Sequence, residues 1–143
     1  MTVHLTAKQW GGKKKNKYSA KHTWVCDKCG ALFHEKPTMH QKPCGSTVFV
    51  HFHSKREANY WVELRGHEKA GIIKNLKRQV KFPIVIDETQ VGSYVADFTY
   101  RMNEPVSSRF LIVVDVKGHD TKLSAFKRKC VEAQYGIKVE IVK

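Results

Sequence analysis

Phe110-Leu111-Ile112-Val113-Val114-Asp115-Val116-Lys117-Gly118 is the stretch on which the fold turns. Its consecutive apolar residues, rich in β-branched side chains and closed by a glycine, predict a buried strand. Side chains alternate across a strand, so Asp115 and Lys117 share one face while Val116 takes the other. A carboxylate and an ammonium therefore stand together at the exit of an otherwise apolar strand. Charges in that position are costly unless they have a partner or a task. The plain structural account is an ion pair at a strand end. The rest of the chain decides whether it is more.

Upstream, Val91 to Arg101 reads as a strand, with Tyr94, Ala96, Phe98 and Tyr100 on one face and Val95, Asp97 and Thr99 on the other. Gln79 to Ile86 reads as a further strand, and Pro83 argues for an edge or a bulge. A turn at Asp87-Glu88-Thr89-Gln90 joins the two. Ser54-Lys55-Arg56-Glu57 has capping-box spacing, followed by an apolar stripe of Ala58, Trp61, Val62 and Leu64, and Ala70-Gly71 stops that helix. Glu57 thus has a structural explanation as the cap partner.

Downstream, His119-Asp120-Thr121 leads into a helix over about 121–134, with Lys122, Lys127, Arg128 and Lys129 on its polar side. Cys130, at helical spacing from Phe126 and Ala133, reads as a small core residue. Gly136 ends the helix, and Ile137 to Val142 alternates as a last strand. The order is helix, three strands, helix, strand. This is an α/β chain of the α+β, mixed-sheet kind.

Ahead of this core lie Cys26-Asp27-Lys28-Cys29-Gly30, His34, His40 and Cys44. A C-x-x-C-G turn lets two thiolates reach one ion, and the glycine permits the tight knuckle. His40 and Cys44, separated by three residues, complete a tetrahedral Zn2+ set, with His34 as the competing ligand. Flanking runs at His22 to Val25 and Thr47 to Phe52 alternate as strands, so the unit reads as a short zinc ribbon or knuckle. A disulfide scaffold is excluded by the uneven spacing of four cysteines, and a redox C-x-x-C by the missing βαβ context.

The 143 residues carry 26 Lys and Arg against 13 Asp and Glu, a net charge of +13. The excess is lopsided: residues 1–56 hold 11 of the basic residues and only Asp27 and Glu35. Such an excess points to a polyanion, and to nucleic acid before a membrane surface, since no basic amphipathic helix carries the charge. Residues 8–22, with Lys13, Lys14, Lys15 and Lys17, lack hydrophobic periodicity and read as a basic arm that orders on phosphate backbone. With neither a secretory signal nor an apolar run of membrane-spanning length, a cytoplasmic location is expected.

Asp97 and Asp115 lie on consecutive strands, which usually pair. Paired, the two carboxylates meet within one metal's reach, and Mg2+ is held by one or two carboxylates plus substrate phosphate and water. Lys117 beside them can orient or deprotonate a water, or steady charge growing on a phosphate. Those are the parts that phosphodiester hydrolysis requires.

An acid followed one strand later by D-x-K, within an αβββαβ order, resembles the PD-(D/E)XK nuclease superfamily. More narrowly, Phe52 to Ala58, Gln79-x-x-Phe82, Ala96-Asp97-Phe98, Asp115 to Gly118 and Lys127-Arg128-Lys129 resemble a family of small phage and prophage proteins of that type, over about residues 50–142. The resemblance implies a restriction-endonuclease-like core, with Asp97, Asp115 and Glu57 binding Mg2+ or Mn2+, Lys117 as the catalytic lysine and Gln79 as an auxiliary residue. Ala96 replaces the proline of the superfamily's name, and Asp115 replaces the commoner glutamate. The implied organisation is a basic flexible arm at 1–21, a zinc ribbon at 22–50 and a nuclease core at 51–143.

The expected activity is metal-dependent endonucleolytic cleavage of DNA, including branched or recombining phage DNA in the host cytoplasm, with Lys13, Lys14, Lys15, Lys17, Lys127 and Lys129 on the backbone. A homodimer is one state such an enzyme would take, because cutting both strands often pairs two sites. The rival classes are a non-catalytic zinc-ribbon protein that binds nucleic acid and an RNA-processing nuclease. A pure binder has no need to keep Asp-x-Lys together with an upstream strand acid.

Overall fold

The computed structural model describes residues 21–40, 44–104 and 110–143. The basic arm, with Lys13, Lys14, Lys15 and Lys17, lies outside them. Two sheets and two helices make up a mixed α+β architecture. The small sheet has the order β2-β1-β3, all antiparallel, from β1 (Thr23–Cys26), β2 (Leu32–Phe33) and β3 (Phe49–Phe52). Then follow α1 (Lys55–Lys69), β4 (Ile73–Ile86), β5 (Thr89–Met102), β6 (Ile112–Val116), α2 (Lys122–Tyr135) and β7 (Val139–Val142). The second sheet runs β4-β5-β6-β7, antiparallel as far as β6, with β7 parallel to β6. A parallel neighbour needs a crossover, which α2 supplies. Among the described residues, no helix is long and apolar enough to cross a membrane.

Local chemistry sets the boundaries. Ser54 caps α1, its Oγ accepting from Glu57 N at 3.2 Å, and Gly71 follows the C-cap at φ 73°. Thr121 caps α2 through Ser124 N, and Gly136 ends it in the left-handed region. β4 and β5 form a long hairpin in which Ile86 pairs with Thr89. The two residues between, Asp87 and Glu88, both have positive φ, as a two-residue turn matched to strand twist requires. Pro83 sits on the outermost strand, next to a register shift between Ile84 and Val85. β4 begins at Ile73, six residues before the expected start, because its edge position lets lysines interrupt the apolar pattern.

The sheet buries both faces. Phe98, Val114 and Val116 pack with Phe52, Ala58, Trp61 and Leu64 on the α1 side. Tyr94, Ala96 and Val113 pack with Phe82, Val131 and Val139 on the α2 side. The expectation that Tyr94, Ala96, Phe98 and Tyr100 share a face is therefore corrected. The alternation breaks at Asp97. The ladder pairs Arg78 with Phe98 and Val80 with Ala96, skipping Gln79 and Asp97, and Gln79 has φ 52°. One left-handed residue reverses the pleat of β4, and β5 follows it. Phe126, expected near Cys130 in the core, is 65% exposed, whereas Cys130 does pack against the α2-side cluster.

Candidate active-site cleft and metal centre

The pleat reversal falls where the candidate acids gather. β5 and β6 pair from Tyr100–Ile112 to Phe98–Val114 and no further. At the next position, the Asp97 side chain inserts, its Oδ2 accepting from Val116 N at 2.8 Å. The carboxylate takes a backbone donor that the ladder would otherwise use. Its other oxygen accepts from Gln79 Nε2 at 3.1 Å. Gln79 thus enters the site through Asp97.

Asp115 is only 3% exposed, so its charge needs partners. Lys117 Nζ lies 2.7 Å from its Oδ2, and the Tyr94 hydroxyl donates to the same oxygen. Burial and the Asp115 charge hold the Tyr94 phenol protonated, well above its ordinary range. Lys117 also donates to Ser124 Oγ at the start of α2 and pairs with Asp120 at 3.6 Å. Asp120 in turn accepts from Arg128 at 2.7 Å, which keeps its carboxyl below the usual range.

Glu57, Asp97, Asp115 and Lys117 line one open cleft of about 470 Å³, together with Tyr94, Ser124 and Lys127. The structure therefore brings together all four residues singled out as a constellation in the sequence. Glu57 keeps its cap as well, with Ser54 Oγ donating to its Oε1 at 2.8 Å. Lys127 reaches the cleft, but Lys129 is exposed and is not among its lining residues. Arg56, which does not line the cleft, has its guanidinium 3.5 Å from where a Cβ at Gly118 would lie.

Burial, then the charges of Asp115 and Glu57, push the Asp97 carboxyl up to about 7, although the Val116 N–H opposes the shift. This crowding is the test of fit for a divalent cation. The Asp97 and Asp115 carboxylates lie close enough to repel, of the two Lys117 pairs with Asp115 alone, and oxygen donors are what Mg2+ takes.

Tyr94, Asp120, Ser124 and Arg128 were not picked out as site residues from sequence. The only available signal was local: Asp120-Thr121-x-x-Ser124 is an N-cap region three residues beyond Lys117.

The second cluster is Cys26, Cys29, His40 and Cys44, whose ligand atoms all lie within 4.8 Å of one another. Cys26 and Cys44 Sγ are 3.5 Å apart, and Cys29 Sγ is 3.3 Å from His40 Nδ1. A tetrahedron with Zn–S bonds of about 2.3 Å has edges of about 3.8 Å, so the shorter pairs need to spread slightly and the longer ones to close. The set could hold a zinc ion. His34 is exposed and outside the cluster, which corrects its standing as a competing ligand. Burial would raise the Cys26 thiol, but N–H groups of Cys29 and Lys28, with His40 and Cys44, pull it down to about 6. The knuckle rests on α1, with Gly30 against Val62 and Asp27 3.9 Å from Arg65.

Residues 48–143 match the family described as "Protein of unknown function (DUF1064)". The chain belongs to this family. The DUF1064 stretch starts at the edge of β3 and contains Glu57, Gln79, Asp97, Asp115 and Lys117, whereas the four candidate zinc ligands precede it. No curated protein and no solved structure matches the chain.

Proposed function

We propose that the chain is a metal-dependent endodeoxyribonuclease of the PD-(D/E)XK kind, with a restriction-endonuclease-like core and a structural zinc knuckle ahead of it. The observation that carries this reading is the shared cleft of Glu57, Asp97, Asp115 and Lys117. The order α1-β4-β5-β6-α2-β7, with an antiparallel meander followed by a parallel strand, is the αβββαβ arrangement that the resemblance implies.

In this reading, Asp97 and Asp115 hold Mg2+ with Glu57 in support, and the cation supplies Lewis-acid stabilisation of the phosphate and a more acidic water. The residues themselves do the positioning. Gln79 and the Val116 N–H fix both oxygens of Asp97, while Tyr94 and Lys117 fix Asp115. Lys117, held by Asp115, Asp120 and Ser124, presents a localised positive charge to the phosphate as negative charge grows on it. Water attacks phosphorus and releases a proton to solvent, the bond to the leaving oxygen breaks, and that oxygen takes up a proton from solvent. Lys127 in the wall supplies attraction for the DNA backbone.

The test is incubation with linear, nicked, flapped and four-way DNA, and with RNA, in the presence and absence of Mg2+ or Mn2+. Metal-dependent cleavage of DNA is expected, falling at least a hundredfold in Asp97→Ala and Lys117→Ala. Either variant cutting at the wild-type rate refutes the assignment. Binding without cleavage of any substrate favours the non-catalytic zinc protein instead.

A further inference from the structure

The small sheet has two unlike faces. One buries Val25 and Phe52 against α1. On the other, register places Trp24 opposite both His51 and Phe33. His51 packs on Trp24 at a ring separation of 4.6 Å, and His22 lies edge to edge with His51, nearly coplanar at 15° between planes, with His22 Nδ1 2.9 Å from His51 Nε2. His53 closes the group at 5.2 Å from His51. Lys36 Nζ lies 5.3 Å above the Trp24 ring. His22 and His53 are exposed, and Trp24, Phe33 and His51 are half-buried.

Five of these six residues carry aromatic rings set at varied angles, with the Lys36 ammonium over Trp24, and none has an aliphatic hydrocarbon side chain. Beyond the His22–His51 hydrogen bond, an interface with another protein would have to satisfy the remaining imidazole nitrogens away from water, at a cost in desolvation. Nucleic-acid bases lay their π faces on such rings while the ring edges stay wet. The charge fits the same occupant, with 11 basic and two acidic residues in positions 1–56. A duplex hides its base faces in its own stack, so only unpaired nucleotides can use these rings.

We propose that this outer face of the zinc module is a stacking platform for single-stranded DNA, by which the protein engages unpaired segments next to a duplex. The proposal rests on the nucleic-acid reading above, but not on the cleft chemistry. Nothing in the cleft takes part, and the knuckle holds the platform through β1 and β3.

The experiment uses the full-length, zinc-loaded protein without Mg2+ or Mn2+, so that no cleavage occurs. Fluorescence anisotropy measures binding to labelled oligo-dT of about 15 nucleotides and to a duplex of the same length. Single strand is expected to bind at least fivefold more tightly than duplex. Trp24→Ala should weaken single-strand binding about tenfold and the exposed His53→Ala about threefold, both leaving duplex binding within twofold. Trp24→Phe, which keeps a stacking ring, should stay close to wild type. Zinc content and circular dichroism identify any variant that fails to fold, and His53→Ala then decides. Equal affinity for the two probes, or parallel losses on both, overturns the platform. If single strands bind in a Trp24-dependent way but no DNA is ever cut with Mg2+, the platform stands and the nuclease reading falls. If DNA is cut but single strands are not preferred, the nuclease reading stands and the platform falls.

Discussion

Replacing Asp97 by asparagine should stabilise the fold while abolishing any chemistry in the cleft. Burial and the neighbouring Asp115 and Glu57 raise the Asp97 carboxyl from 3.8 to about 7. At about 1.4 kcal/mol per pKa unit, ionised Asp97 costs the metal-free protein at most about 4 kcal/mol. The cleft is open, so solvent screening reduces this to about 2 kcal/mol. Asparagine removes the charge and keeps both contacts: its Oδ1 accepts from Val116 N, and its Nδ2 donates to Gln79 once that amide turns over. Asp97→Ala removes the charge and also leaves those two donors without their acceptor.

The sign with pH follows from a folded-state value above the unfolded one. Below about pH 4, both states hold the proton and Asp97 costs nothing. As pH rises from there to about 7, the unfolded chain releases the proton first and wild-type stability falls. Thermal melts by circular dichroism, without added divalent cation, should put Asp97→Asn about 5 °C or more above wild type at pH 8.5, with a smaller gap at pH 5.5. Asp97→Ala should lie below Asp97→Asn by about 1–2 kcal/mol. Mn2+ should raise the melting temperature of wild type alone. A variant that melts at or below wild type at pH 8.5, or a gain independent of pH, refutes the reasoning.

Other consequences are equally open to measurement. Purified protein should carry about one equivalent of zinc by metal analysis. Cys26 is held down to about 6 in the metal-free fold against an ordinary 9.0, so zinc affinity should weaken progressively as pH drops below that value. Phe98→Ala should cost about 3–5 kcal/mol in urea unfolding, because Phe98 is 1% exposed and its ring meets those of Phe52, Tyr60 and Trp61. Tyr94→Phe removes a donor from buried Asp115, and should cost about 1–2 kcal/mol in stability with zinc content unchanged.

What was legible in the sequence was whatever short-range chemistry determines. The β6 run announces itself because both sheet faces are covered, so no polar residue interrupts it before Asp115. The cap at Ser54 and the stop at Gly136 depend on single residue types within one turn. The cluster that could hold zinc follows from C-x-x-C-G and the His40–Cys44 spacing. The first half of β4 was not legible, since an edge strand tolerates Lys74 and Lys77 where a central strand would not. Nor were the Tyr94, Asp120, Ser124 and Arg128 contacts, which join separate elements and leave no local periodicity.

The reversal at Gln79 and Asp97 explains why the site could be guessed when the faces around it could not. A strict two-residue period puts Asp97 opposite Tyr94, which would have kept the Tyr94 hydroxyl away from Asp115. The sequence contains no glycine at 79 to signal a left-handed residue, and glutamine there is conformationally strained. Its amide offsets some of that strain by bonding Asp97, and Asp97 in turn bonds Val116 where the β5–β6 ladder stops. Strain, charge crowding and an interrupted ladder therefore coincide at one point in the sheet. Core packing alone gives no reason for such a coincidence, because a Val–Val pair would continue the ladder at lower cost. A role in holding something between the two strands does give one.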